Sequence, residues 1–129
     1  MPLKLNVSRG EKFIVNGAVI KNDGDVTSLV FENQAQILRQ KDILTQESAT
    51  TPAARVYLAL QCAYLFPDKA AGHLENFHTL LDEYLEAAPS AGPLAEEIRA
   101  LVDQGQLYAG LKACCRLLGH EHEVLAHVQ

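Results

Sequence analysis

The 129-residue chain contains no tryptophan, one methionine and three cysteines, and its only phenyl and phenol rings come from four phenylalanines and four tyrosines. With so few rings and no aromatic-rich strand, the chain offers no row of platforms on which successive bases could stack. Two of the cysteines are adjacent (Cys114 and Cys115), so the set makes no disulfide framework, and the cytoplasm is the compartment to expect. The longest apolar stretch, residues 56–66, is interrupted by Gln61 and falls well short of a membrane span. Met1-Pro2-Leu3-Lys4-Leu5-Asn6 lacks the basic start, apolar run and small-residue cleavage site of a signal peptide. Basic residues are also in deficit, 11 against 16 acidic, and a net charge of −5 counts against a nucleic-acid binder. Phosphate-binding and catalytic fingerprints of the G-x-x-x-x-G-K, G-x-G-x-x-G, G-x-S-x-G and H-E-x-x-H types are absent.

What remains is an ordinary globular composition, 48% hydrophobic and 21% charged. A chain of this length buries about two-thirds of its unfolded surface and needs neither disulfide nor metal to fold. Up to about Leu44 it reads as short strands. Leu3, Leu5 and Val7 alternate with polar neighbours, and Arg9-Gly10 offers a turn. Lys12-Phe13-Ile14-Val15 runs into Asn16-Gly17, the dipeptide suited to a type I′ hairpin, and Ala18-Val19-Ile20-Lys21 returns. After the turn cluster Asn22-Asp23-Gly24-Asp25, strands are expected over residues 26–32 and 35–39, giving four or five strands in a small meander or half-open barrel.

Beyond Leu44 the period becomes helical. Thr51-Pro52 reads as an N-cap followed by proline at the first helical position, opening a first helix to about Phe66 that is apolar around much of its circumference. Leu74, Phe77, Leu81 and Leu85 mark a second helix over residues 69–87, and Leu94, Ile98, Leu101 and Val102 a third that Pro93 opens and Gly105 caps. A fourth begins near Gln106, with a break expected at Gly119 before a flexible polar C-terminus. The fold class is therefore α+β: a small antiparallel β-rich part, residues 1–44, followed by about four helices, residues 45–129. The charge divides with it, net +1 in the first part and net −6 in the second.

Few constellations point to chemistry. Asp82, Glu83, Glu86, Glu96 and Glu97 fall on outward helix faces and read as solvated surface. His120, His122 and His127, with Glu121 and Glu123 among them, do not have the spacing of a tetrahedral site, so no metal or cofactor is expected. His73 and His78 read as surface residues, and Cys62, Cys114 and Cys115 as small hydrophobes. The most informative segment is Ile37-Leu38-Arg39-Gln40-Lys41-Asp42-Ile43-Leu44. In an extended chain Arg39 and Lys41 project from one face. Such a pair suits phosphate neutralisation or stacking of arginine on an unpaired base; the other reading, a solvated strand end paired with Asp42, is the one that spacing alone favours.

Four stretches carry a resemblance: Met1-Pro2-Leu3-Lys4-Leu5, Gly17-Ala18-Val19-Ile20-Lys21-Asn22, the segment from Ile37 to Leu44, and Thr51-Pro52-Ala53-Ala54-Arg55-Val56-Tyr57. In order and spacing they resemble the FlbT family of flagellar biosynthesis repressors. The resemblance implies a cytoplasmic regulator that associates with the 5′ untranslated region of flagellin messenger RNA and lowers its translation or stability. It also implies a working relationship with FlaF and with flagellin, and no enzyme. A weaker similarity of pattern links residues 1–44 to the CsrA family of translational repressors, in which strands of two subunits interleave and an arginine after the last strand contacts RNA loops; Arg39 matches that arginine by position and Leu3-Lys4-Leu5 the first strand. The expected RNA contacts are accordingly Arg39, Lys41, Lys4 and Arg9. The alternative is a protein-interaction module or chaperone-like assembly factor that binds flagellin or FlaF through its acidic helices and acts on messenger RNA indirectly. Exposed edge strands in so short a β part also make a homodimer through that part an expectation.

Overall fold

The computed structural model describes the backbone of residues 3–128 and the side chains of residues 3–125; Met1, Pro2 and Gln129 lie outside the described residues. The chain divides into two units, Met1–Ile43 and Leu44–Gln129. The first holds five antiparallel strands, β1 (Leu3–Val7), β2 (Lys12–Val15), β3 (Ala18–Lys21), β4 (Thr27–Phe31) and β5 (Ile37–Arg39), and the second four helices, α1 (Pro52–Leu65), α2 (Ala70–Ala87), α3 (Gly92–Asp103) and α4 (Leu107–Val128). This is the α+β order that the change of period implies.

Of the two expected arrangements, a meander or a half-open barrel, the strands do not form the simple meander. They make two sheets, β1-β4 and β3-β2-β5. The β2-β3 hairpin turns at Asn16 and Gly17 with φ of 50° and 86°, both positive as a type I′ turn requires. From there β4 leaves to pair with β1, Leu3 opposite Phe31 through Val7 opposite Thr27, and β5 returns to the far side of β2. The reason is burial: β1 and β2 each carry one apolar face, and a single flat meander leaves both faces wet. Split into two sheets, they pool Leu5, Val7, Phe13 and Ile37 in one core, with Val15, Phe31 and Ala35 against it.

In the helical unit α1 packs against α2 and α4, and α3 against α4. Thr51 caps α1 as its sequence implies, its Oγ1 accepting the Ala54 N–H at 3.2 Å. Gln61, the polar interruption in the apolar stretch, is buried because Leu44 satisfies it twice: Oε1 accepts the Leu44 N–H at 2.9 Å and Nε2 donates to the Leu44 carbonyl at 2.8 Å. Gly105, at φ +77°, ends α3 in a Schellman motif, with Gln106 N–H donating to the Leu101 carbonyl and Gly105 N–H to that of Val102.

The break expected at Gly119 does not occur, and α4 runs on to Val128. A glycine inside a helix costs about 1 kcal/mol, and contacts on both sides of it hold the helix together. Leu117 is fully buried, and Glu121, also buried, places Oε2 2.9 Å from the Ala53 N–H, a donor at the start of α1 that no helical carbonyl reaches. A carboxylate from 68 residues away thus caps α1 and meets the positive end of its dipole. Replacing Glu121 by alanine is expected to lower the unfolding free energy by ~2 kcal/mol, the worth of a buried hydrogen bond to a charged group. Glu121→Gln, which keeps an accepting oxygen, is expected to lose clearly less. Equal urea-unfolding midpoints for the alanine variant and the parent chain contradict this capping role.

Candidate functional site

The β1-β2 connection is the most heavily braced turn in the β unit. Ser8-Arg9-Gly10-Glu11 closes with the Glu11 N–H donating to the Ser8 carbonyl at 3.1 Å, and Gly10, third in the turn, sits at φ +78°, where a side chain is strained. Gly10 N–H donates to the Asn22 carbonyl at 2.8 Å and Asn22 N–H to that of Glu11 at 3.0 Å, the pattern of a glycine bulge in which two residues of one strand oppose one of the other. The Asn22 side chain completes the brace. Its Nδ2 lies within 3.2 Å of the carbonyls of Val7, Ser8 and Asp25, and its Oδ1 accepts the Gly24 N–H.

Across from this turn β5 ends at Arg39, and Gln40–Asp42 wind into a single 3-10 turn. Arg39 and Lys41 therefore do not project from one face of an extended strand, as the sequence led one to expect. Gln40 fixes the turn, accepting the Lys12 N–H at 2.7 Å. Arg39 is clamped. Its Nε and Nη2 meet both oxygens of Glu11 at 2.9 to 3.0 Å, and Nη2 also donates to the Asn6 carbonyl at 2.6 Å. Together Ser8, Arg9, Gly10, Glu11, Arg39, Gln40 and Lys41 line an open groove of about 630 Å³.

Three of the four anticipated contact residues, Arg9, Arg39 and Lys41, thus meet in one groove, and Lys4 does not line it. Lys4 stands exposed on β1, on the same face as Asn6 and opposite Val30. Arg39 is partly buried and bidentate on Glu11, so the positive charge that the groove offers comes chiefly from Arg9 and Lys41, both exposed. Lys12 and Lys21 add a like-charged cross-strand pair on the neighbouring hairpin. Such a pair is unfavourable in isolation and favours an anion nearby. Asn22 and Gln40 went unnoticed in the sequence because an asparagine in a turn cluster and a glutamine between two cations carry no mark of what they bond.

The helical unit has its own polar centre, which the sequence did not reveal. His120 lies between two hydroxyls, Tyr84 Oη 2.8 Å from Nδ1 and Ser90 Oγ 2.8 Å from Nε2. A neutral imidazole donates from one nitrogen and accepts at the other, so the chain of three is satisfied and ties α2, the 3-10 turn Pro89–Ala91 and α4 together. Burial, with Glu121 nearby, pushes the Tyr84 phenol up to about 12, so it stays protonated. With both ring nitrogens engaged His120 is no metal ligand, His122 is exposed, and the side chain of His127 lies outside the described residues. Among the described residues no group of three or more histidine, cysteine or carboxylate side chains converges on a metal position.

The remaining residues singled out in the sequence have structural partners or none that suggests chemistry. Burial pushes the Cys114 thiol up to about 12 and raises that of Cys62, which makes both poor nucleophiles. Asp82 and Glu97 are exposed but engaged, by Arg99 and Arg116, in ion pairs that bridge α2 to α3 and α3 to α4. His73 and His78 are half-buried against Phe66 and Phe77 rather than free on the surface.

The family model described as "Flagellar protein FlbT" matches residues 3–125. A probable flagellum biosynthesis repressor protein FlbT of Caulobacter sp. (strain K31) is 37% identical over 130 aligned positions, covering 99% of each chain. The flagellum biosynthesis repressor protein FlbT of Caulobacter vibrioides (strain ATCC 19089) is 36% identical over 99% of this chain and 92% of its own. A third, from Bradyrhizobium diazoefficiens, is 37% identical over 96% of this chain and 85% of its own. No solved structure matches the chain significantly.

The groove also has a pH limit. The Ser8 N–H bonded to Glu11, together with Arg39, holds the Glu11 carboxyl below its ordinary value. A depressed carboxyl stabilises the fold fully above the ordinary carboxylate range, and the contribution is lost as pH falls through the lowered value. Acidification to well below the ordinary carboxylate range is therefore expected to release Arg39 and loosen the turn, read as a change in the Arg39 Nε–H resonance and faster amide exchange at Gly10. In Glu11→Gln the same probes are expected to be loose already at neutral pH and flat across the acid range.

Proposed function

The chain belongs to the FlbT family and is a regulator of flagellum biogenesis, and we propose that it acts on flagellin messenger RNA by holding its 5′ untranslated region in the groove of the β unit. Repression of translation, or handing the message to degradation, follows from occupancy of that leader. The single observation that carries this reading is the convergence of Arg9, Arg39 and Lys41 on one open groove whose walls are fixed by Asn22, Gln40 and the Glu11 clamp. Arg9 and Lys41 neutralise backbone phosphates, Lys4 and the Lys12/Lys21 pair extend the positive surface, and Arg39 keeps the turn and strand end at a fixed spacing while its half-exposed guanidinium edges the groove.

The chemistry suits an unpaired loop rather than a duplex. The groove is short, it lacks aromatic platforms, and its net charge is small, so it contributes a few phosphate contacts and little nonspecific hold. The helical unit, net −6, repels RNA and is assigned the protein partners, FlaF and flagellin. In this arrangement the partner changes access to the message and the β unit touches it. Cytoplasmic action fits this role; no helix among the described residues is long and apolar enough to cross a membrane.

A gel-shift titration with the flagellin leader RNA tests the reading. Arg9→Glu with Lys41→Glu is expected to weaken binding at least tenfold without altering the thermal melt. Arg39→Glu is a poor probe, because it sets two carboxylates against each other inside the clamp. The two phosphate contacts of Arg9 and Lys41 predict a slope of log affinity on log salt of about −1.4 for single-stranded RNA. Equal retardation by the parent and the double variant removes the groove from the mechanism. Absence of retardation, with flagellin still captured after nuclease treatment, favours direct protein binding instead.

A further inference from the structure

The β unit leaves much of its apolar surface in solvent. Cross-strand neighbours share a face, so Leu3 and Leu29 belong to the core side of the first sheet with Leu5 and Val7, and Ile20 to that of the second with Phe13. Yet Leu3 is 48%, Leu29 36% and Ile20 39% exposed, and Val30 on the outer face and Val26 just before β4 are more exposed still. The first sheet has only two strands, too few to cover the second, and a two-stranded ribbon is of marginal stability on its own. A unit of about forty residues is also at the size where a core needs outside help.

The free edges are not alike. Exposed edges are ordinarily guarded by charge, proline or bulges, and β1 carries Lys4, β3 carries Lys21, and β5 runs into Arg39. The edge of β4 has no guard: residues 26–31 read Val-Thr-Ser-Leu-Val-Phe, without a charge, proline or glycine, and its ladder with β1 is unbroken.

We propose that this edge pairs with its own counterpart in a second copy of the chain, β4 against β4 about a twofold axis at Leu29, to make a continuous four-stranded sheet in the order β1-β4-β4-β1. In an antiparallel pairing centred there, Thr27 faces Phe31 of the partner copy and Ser28 faces Val30. Every strand residue is paired, and Thr27, Leu29 and Phe31 of both copies stay on the core side. A register shifted by one turns those faces outward. Charges are also compatible, since Glu32 falls opposite Val26 and Asp25 opposite Asn33, and no like charges meet. The partner's strand widens the first sheet next to Leu29 and enlarges the apolar face that carries Leu3 and Leu29.

Light scattering on the full chain, with two variants at the outward positions 28 and 30, tests the register. Glutamate at position 30 lies opposite Lys4 of its own chain, and both variants lose the Ser28 hydroxyl's hydrogen bond to Asn6 Oδ1 alike, so circular dichroism and the thermal melt check that the two fold equally. The parent chain is expected at twice the chain mass. Ser28→Glu with Val30→Glu sets acid against acid across the axis and is expected to raise the dimer dissociation constant about tenfold or more. Ser28→Lys with Val30→Glu sets opposite charges across it and is expected to keep the dimer. A parent chain that stays monomeric at high micromolar concentration overturns the self-pairing and leaves the edge to a strand of another protein. A dimer that survives the double glutamate variant overturns it as well.

Discussion

One guanidinium holds the β unit in its working shape. Arg39 ends the last strand of the three-stranded sheet, yet its Nη2 donates to the Asn6 carbonyl in the two-stranded one, and its fork closes on Glu11 in the turn between them. The Leu5, Val7, Phe13 and Ile37 core is small, and apolar contacts alone do not fix how two short sheets are spaced. A half-exposed ion pair is worth little when it joins two mobile side chains. Here both partners are set by backbone: Glu11 accepts the Ser8 N–H and is the second residue of a bulge, and Arg39 sits in a ladder with Phe13. The pair contributes geometry more than free energy, and that geometry fixes where Arg9 and Lys41 stand.

The same interaction alters how the basic residues divide their work. A segment with arginine and lysine two apart invites the reading that both meet a ligand alike. The 3-10 turn at Gln40–Asp42 and the Glu11 clamp separate them, leaving Lys41 exposed and Arg39 engaged. The local charge near the groove is modest in consequence, which agrees with a β unit of net +1 beside helices of net −6. A ligand at such a groove is held by shape and by a few placed cations rather than by a strong field.

Much of the fold was legible because its signals are local. Asn16-Gly17 dictates a hairpin through two positive φ values, Thr51-Pro52 dictates a helix start, and Gly105 its end, each within four residues. What escaped were choices made by distant partners. Nothing near Gly119 says that the helix continues, because the reason is Glu121 reaching Ala53 and His120 reaching Tyr84 and Ser90. Alternation in five strands does not say which pair, since period fixes faces and not neighbours; the two-sheet order follows from pooling two apolar faces. The candidate site divided in the same way: the cations were visible by type, whereas Asn22 and Gln40 become functional only once the chain has folded around them.

The two proposals bear on each other through valence. A groove with few phosphate contacts holds a message weakly, and the acidic helices add nothing to that hold. Joining two β units along β4 puts two such grooves in one assembly, so once one has bound, the other meets the same RNA at an effective concentration that is commonly about millimolar. Avidity of about 10² to 10⁴ follows without a new contact, provided the RNA reaches both grooves. A weak site is then no defect in a regulator that must let go. Under the two proposals together, separating the copies lowers affinity by the whole avidity factor with no change at Arg9 or Lys41.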